Sequence, residues 1–347
     1  MKITDLDTPV LALDLDTLER NIQERAAYCR EQGIRVRPHV KTHKCPAIAH
    51  LQVEAGVIGI TCQKLGEAEV MVQAGIKDIL IPYNIVGRVK LERLMRLCRQ
   101  TRMTVAADSE DTVRGISEAA SAEGLNVPVI VEIDTGAGRC GVQTPAAVVV
   151  LAEAIQDLPG VAFQGIMTHP SQKESGPMLR ESVRLLTEAG LPPETVSGGS
   201  TGTWEYYHEQ GLTELRIGTY AFNSPRRDGD GRITNVDRCS LRIVATVVSI
   251  PTAERAIVDA GYKTFAHTGG SPYGNVIDDL DVPVYRMSVE HGFLDIRKAS
   301  RPYRVGDMLT IIPNGTEVMI NQHDEFVGLR GGRVEAIWPI AARGKIR

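Results

Sequence analysis

From residue 11 to residue 222, apolar runs of strand length alternate with segments whose apolar residues recur at helical spacing. The strand candidates are 35–41, 57–63, 78–84, 103–108, 127–134, 163–169, 195–199 and 214–222. Helical periodicity fills the gaps, as at 18–32, 68–75, 89–99 and 178–190. Gly33, Gly75, Gly124 and Gly190 each stand where a helix would close before the next strand. Strands alternating with helices predict a parallel sheet, and eight such units predict a closed (β/α)8 TIM-like barrel within an α/β chain. After about residue 235 the rhythm changes to short strand candidates at 241–250, 255–260, 284–290, 308–313, 317–321 and 334–340. This predicts a second, C-terminal all-β domain. Pro225, Asp228, Gly229, Asp230 and Gly231 mark the boundary, giving a barrel over 11–232 and a β-domain from 1–10 and 233–347. The first strand candidate, 9–13, fits either part.

A net charge of −4 gives no reason to expect nucleic acid or an anionic membrane as partner. The six cysteines are scattered, without CxxC pairs or zinc-ligand spacing, which suggests reduced thiols in a cytoplasm. The opening Met1-Lys2-Ile3-Thr4-Asp5 has no apolar targeting segment, and no run is long enough to span a bilayer. A soluble cytoplasmic protein is the expectation.

Barrel enzymes build their sites at the C-terminal ends of the strands. That rule gathers Lys41, Gln63, Asn84, Asp134, His169 and the segment from Ser200 to Thr203. Lys41 stands in Arg37-Pro38-His39-Val40-Lys41-Thr42-His43-Lys44, closing a strand and flanked by two histidines. An amine is a nucleophile only when neutral, and burial with nearby positive charge favours that form. A basic surface turn is the alternative reading of this octapeptide. Ser197-Gly198-Gly199-Ser200-Thr201-Gly202-Thr203 follows strand seven, and Ile217-Gly218-Thr219-Tyr220 closes strand eight. Glycines let backbone N–H groups approach an anion, and hydroxyls add donors. Adjacent loops of this kind after strands seven and eight match the usual phosphate site of such barrels, or are two ordinary turns. A lysine after strand one with this cradle suggests pyridoxal 5′-phosphate (PLP) held as a Schiff base.

The lysine octapeptide, Asp134-Thr-Gly-Ala-Gly-Arg-Cys-Gly-Val142, the Gly198–Thr203 loop and Asp259-Ala-Gly-Tyr-Lys263 resemble the D-threonine aldolase/D-serine dehydratase family. That family belongs to the fold-type III, alanine racemase-like PLP enzymes, and the resemblance runs from about residue 6 to Arg343. It implies that Lys41 carries the cofactor and that Arg139 lies near the cofactor ring and its phenolic oxygen. It also implies that Ser200, Thr201, Gly202, Gly218, Thr219 and Tyr220 hold the phosphate. A homodimer is implied too, one subunit's small domain completing the partner's site. The activity implied is retro-aldol cleavage of a D-β-hydroxy amino acid. Elimination of the dehydratase type and racemisation are the runners-up. A non-catalytic PLP-binding protein, or a barrel enzyme using Lys41 on carbonyl substrates without PLP, are readings of other kinds.

Relatives of this type carry a His-x-Cys or His-x-Asp pair after a proline, which binds a divalent ion. Aligned through Pro313, those positions read Gly315 and Glu317 here, so the resemblance carries over no metal site. His323 with Glu325 is a second possible pair, at the cost of an eight-residue shift in register. On an extended strand Glu317 and His323 would lie roughly 20 Å apart. Without the ion, His169 or Glu317 would take the β-hydroxyl proton. Histidine titrates near neutrality, so His169 is a candidate acid/base or ring-stacking group, with a structural histidine as the alternative. Glu290-His291-Gly292 resembles a supporting motif of the small domain, and His267 is a weaker candidate in the loop 266–270. His50 and His208 fall in helical segments.

Overall fold

The computed structural model describes residues 1–230, 232–266 and 270–347, so His267 and Gly231 lie outside the described residues. The chain divides into two compact units. One holds residues 25–41, 48–218 and 345–347; the other holds 1–24, 42–47 and 219–344.

The first unit is the eight-stranded parallel sheet. Its order in space is Arg35–Val36, Glu214–Leu215, Thr195–Gly198, Val161–Met167, Val127–Glu132, Arg102–Ala107, Asp78–Ile81 and Ile60–Thr61. A parallel bridge between His39 and Thr61 joins the two edges, so the sheet closes into a barrel. The four glycines read as helix ends all take positive φ, the left-handed conformation that terminates a helix without a Cβ penalty.

Strand side chains alternate sides, so positions of one parity line the barrel interior. Part of that interior is apolar, where Leu80, Ala106, Ile130 and Met167 form one buried cluster. The rest is charged. Arg37 donates to Asp78 at 2.5 Å and to Glu214 at 3.0 Å, with little of the Arg37 or Glu214 side chain exposed. Burial alone would lower the Arg37 pKa, but Glu214 and Asp78 outweigh it and raise it. A cavity of 250 Å³ opens at the strand N-termini, lined by Arg35, Arg37, Asp78, Arg102, Glu194 and Glu214. Arg37 and Arg102 pair there with Asp78 and Glu214, Arg35 bonds the Glu194 carbonyl, and the predicted chemistry lies at the other end of the strands.

The second unit is antiparallel. Leu241–Thr252 pairs with Val10–Asp14, Met308–Pro313 and Arg255–Val258. Arg255–Val258 also pairs with Gly292–Asp295, which closes six strands into a ring. The strand left open in the sequence reading, Val10–Asp14, therefore belongs here, between Leu241–Thr252 and Glu325–Arg330. A small core of Ala12, Val244, Val327 and Leu329 fills this region.

Two sequence expectations are corrected. Lys41 does not close a strand: regular pairing ends at Val36, and Lys41 sits in the 3-10 turn Val40–Thr42. The segment 317–321 is not a strand either, because Met319–Gln322 is a 3-10 helix. Met319 and Ile320 are both fully buried, and consecutive burial of that kind suits a tight helix rather than an alternating strand. The extended separation of Glu317 and His323 falls with it.

Candidate active site

The turn that carries Lys41 is held from behind by His39. The Lys41 backbone N–H faces His39 Nδ1 at 3.4 Å, and His39 Nε2 lies 3.0 Å from Gln63 Oε1. One neutral tautomer satisfies both contacts: Nδ1 accepts from Lys41 and Nε2–H donates to Gln63. Burial, reinforced by Lys41, holds the His39 pKa well below the ordinary imidazole range, against the Gln63 hydrogen bond. The second flanking histidine, His43, is fully buried and accepts the Cys45 N–H at 3.1 Å. Both histidines fix backbone.

The loop after Val127–Glu132 presents Arg139. Asp134 accepts the N–H groups of Gly136, Ala137 and Gly138 at 2.7–2.9 Å. Burial would raise the Asp134 pKa, but those donors outweigh it and hold it below the usual carboxylate range. The Gly141 N–H bonds Asp108, and a Cβ at Gly141 would lie 2.4 Å from the Asp134 nitrogen, so only glycine closes this loop. Asp134, a sequence candidate, is thus consumed in loop structure. Arg139 is half-exposed and its Nη2 lies 3.1 Å from Glu132 Oε1. Burial raises the Glu132 pKa, with Arg139 opposing.

The strand expected over 163–169 stops at Met167, and His169 stands two residues beyond it in a bend. Burial, then Arg216, Lys41 and Arg139 in turn, push its pKa down to about 4. Arg216 is buried, donating to Ser197 Oγ at 2.6 Å and to the Thr168 carbonyl at 2.9 Å. Burial lowers its pKa to about 10, which leaves the guanidinium charged at neutral pH. The barrel end therefore gathers Lys41, Arg139, Arg216, neutral His39 and neutral His169. Sequence reading missed Arg216 and Glu132. A signal was present, since charges at alternate strand positions (Glu214 and Arg216) point to the same face as the neighbouring interior residues.

In the strand-seven loop, a Cβ at Gly199 would lie 2.6 Å from Leu215, and its φ is +82°. Glycine there lets the chain turn against the barrel wall. Ser200 and Thr203 bond one another at 3.0 Å. Thr201 Oγ1 is buried without a hydrogen-bond partner, and so is Asn84 Oδ1. A buried hydroxyl left unpaired beside Gly202, where nothing crowds the backbone, is the arrangement a phosphate oxygen would complete. These residues fit PLP. Gly218 ends the barrel unit, whereas Thr219 and Tyr220 fall in a 3-10 turn of the second unit.

The residues do not fit the divalent ion. Gly315 offers no side-chain ligand, and Glu317 is exposed in a turn. His323 Nε2 lies 2.9 Å from the Thr264 carbonyl, and Asp324 pairs with Arg343. Among the described residues, no three His, Cys, Asp or Glu side chains are grouped closely enough to hold a metal. Glu290 pairs with Lys263 at 2.5 Å, and His291 is exposed. His50 bonds the Ala74 carbonyl, and His208 is exposed.

A closed parallel barrel joined to an antiparallel β unit, with a lysine turn at the barrel's C-terminal end, is the alanine racemase-like architecture. The alanine racemase N-terminal domain matches residues 13–224, and a putative serine dehydratase domain matches residues 240–329. D-threonine aldolase of Arthrobacter is 36% identical over 98% of this chain and 93% of its own length. 3-Hydroxy-D-aspartate aldolase of Paracoccus denitrificans is 36% identical over 99% and 94%. The crystal structure of D-threonine aldolase from Filomicrobium marinum superposes with a TM-score of 0.92 at 36% identity, covering 100% and 98%. Dehydratases also occur among the relatives. The chain belongs to this family of fold-type III enzymes, in which alanine racemase-like aldolases use PLP.

Proposed function

We propose that this chain is a PLP-dependent lyase that cleaves the Cα–Cβ bond of a D-β-hydroxy amino acid. Lys41 would hold the cofactor aldehyde through a covalent C=N link. Ser200, Thr201, Gly202, Gly218, Thr219 and Tyr220 would bind its phosphate, and Arg139 its phenolic side. Bound there, PLP supplies an electron sink for the pair left on Cα when a bond to it breaks. His169 takes the β-hydroxyl proton on a ring nitrogen that is free at neutral pH, because its pKa is held down. Arg216 and Arg139 counter negative charge at the barrel end. Glu317 is the second candidate for that proton, but its exposed position suits poorly a site from which water must be kept. No step is assigned to a metal ion.

The observation that carries the reading is the anchoring of Lys41 by His39 and Gln63 at the end of the barrel that holds the unpaired Thr201 hydroxyl. The test is product analysis after incubating PLP-loaded protein with a panel of D-β-hydroxy amino acids. Glycine plus an aldehyde supports the aldolase reading. Ammonia with an oxo acid assigns elimination, and inverted enantiomer assigns racemisation. Bound cofactor with no product from any substrate would leave a carrier. The same reading expects a homodimer, checked by sedimentation. It also expects a cytoplasmic setting, supported by six free cysteines.

A further inference from the structure

The hydrogen-bonded column that runs through the charged part of the barrel has no place in the proton transfer above. Arg37 Nε donates to Glu214 Oε2 at 3.0 Å, and Glu214 Oε1 accepts the Ser197 hydroxyl at 2.6 Å. Ser197 Oγ accepts Arg216 Nη1 at 2.6 Å, and Arg216 Nη2 donates to the Thr168 carbonyl at 2.9 Å. Each hydrogen in this chain has one possible direction. Arginines only donate, the carboxylate only accepts, and the single hydroxyl proton is committed to Glu214. Such a chain has one arrangement rather than several. All its members are buried, so water offers no substitute partner.

From this geometry we infer that Ser197 and Glu214 are positioning residues, which fix Arg216 against the Thr168 carbonyl and so hold His169 in place. Thr168 is gripped from its other side too: its hydroxyl lies 2.9 Å from Thr135 Oγ1, which lies 2.8 Å from Ser175 Oγ. His169 is the next residue. The charged and titratable groups that face it are Arg216 from strand eight, Lys41 and His39 from the strand-one turn, and Arg139 from the strand-five loop. Of the three cations, Arg216 alone is buried and bonded on two sides. Loosening it moves the cation that most strongly disfavours protonation of the His169 ring. The inference rests on the reading of His169 as the base, but its test separates the two.

Ser197→Ala removes the hydroxyl and little volume. In the PLP-loaded holoenzyme with ring-labelled histidine, NMR titration follows His169, its resonance assigned by its loss in His169→Gln. The expected result is a rise of at least about half a unit in the His169 midpoint. With it, kcat should fall about tenfold while KM moves less than about threefold. In the His169→Gln background, adding Ser197→Ala should cost less than about twofold, because the two act through one group. An unchanged midpoint, or losses that multiply as for independent sites, overturns the inference. Should Ser197→Ala not fold, Arg216→Lys asks the same question, since an ammonium cannot reproduce the fork to both acceptors. If His169→Gln keeps full activity, the base assignment fails, and the titration still decides on the column.

Discussion

The end of the barrel and the turn 313–325 carry polar groups in opposite ways. At the barrel end nearly every charged side chain is buried or bonded to a named partner: Glu132 to Arg139, Arg216 to Ser197 and Thr168, His39 to Gln63. In the turn, Glu317 is exposed, His323 is spent on a backbone carbonyl and Asp324 on Arg343. Fixed dipoles and shifted acidities belong where chemistry is done, because burial strengthens every electrostatic term there. The turn of this chain offers none of the grouped donors that the resemblance implies for a divalent ion: Gly315 has no side-chain ligand and Glu317 faces solvent.

That contrast is broken most easily at Lys41. Lys41→Ala should abolish retention of PLP through dialysis and lower kcat by a factor on the order of 10⁴ or more. Visible absorbance and product assay read the two effects; a variant that keeps its cofactor and most of its activity would place the nucleophile elsewhere. The next largest effect is on stability. Arg37→Met strands Glu214 in the barrel interior, and losing one partner of a buried pair costs about 3–5 kcal/mol. Urea unfolding would show it, and a loss under about 1 kcal/mol would mean the column is not dry.

His169→Gln should lower kcat about 10²–10³-fold with KM little changed. The pH dependence sharpens this. With the His169 pKa at about 4, the neutral base persists as pH falls below 6, so kcat should hold until pH approaches that value. The linked stability has a definite sign. An imidazole whose folded pKa is depressed favours the unfolded state as it protonates. Its contribution is therefore present above the unfolded value of about 6.5 and is lost as pH falls to about 4. Thermal melts between those limits should decline with falling pH, more steeply in wild type than in His169→Gln. The smallest effect is expected in the turn. Glu317→Gln and treatment with EDTA should each change kcat less than about twofold. A large loss from either would restore the turn to the catalytic machinery.

Much of this was legible in the sequence because it rests on local rules. Apolar runs and closing glycines marked the barrel units, and the rule that sites form at strand ends gathered Lys41, His169 and the Ser200–Thr203 loop. What escaped notice depends on distant pairing. Arg216 reads as an ordinary strand charge until the neighbouring strand brings Ser197 to it, and Glu132 does so until the loop after its own strand folds Arg139 back onto it. Asp134 stands among the polar residues gathered at the strand ends, and only the folded loop reveals that its oxygens are taken by three N–H groups. The segment at Met319 was misread because β-compatible apolar residues also fit a 3-10 turn when two neighbours are buried together.

The measurement closest to the central claim is peptide mass spectrometry after borohydride reduction of the PLP-loaded protein. A pyridoxyl adduct on Lys41, absent from Lys41→Ala, is the predicted result. An adduct on Lys44 or Lys64 instead, or on no lysine, would contradict the account.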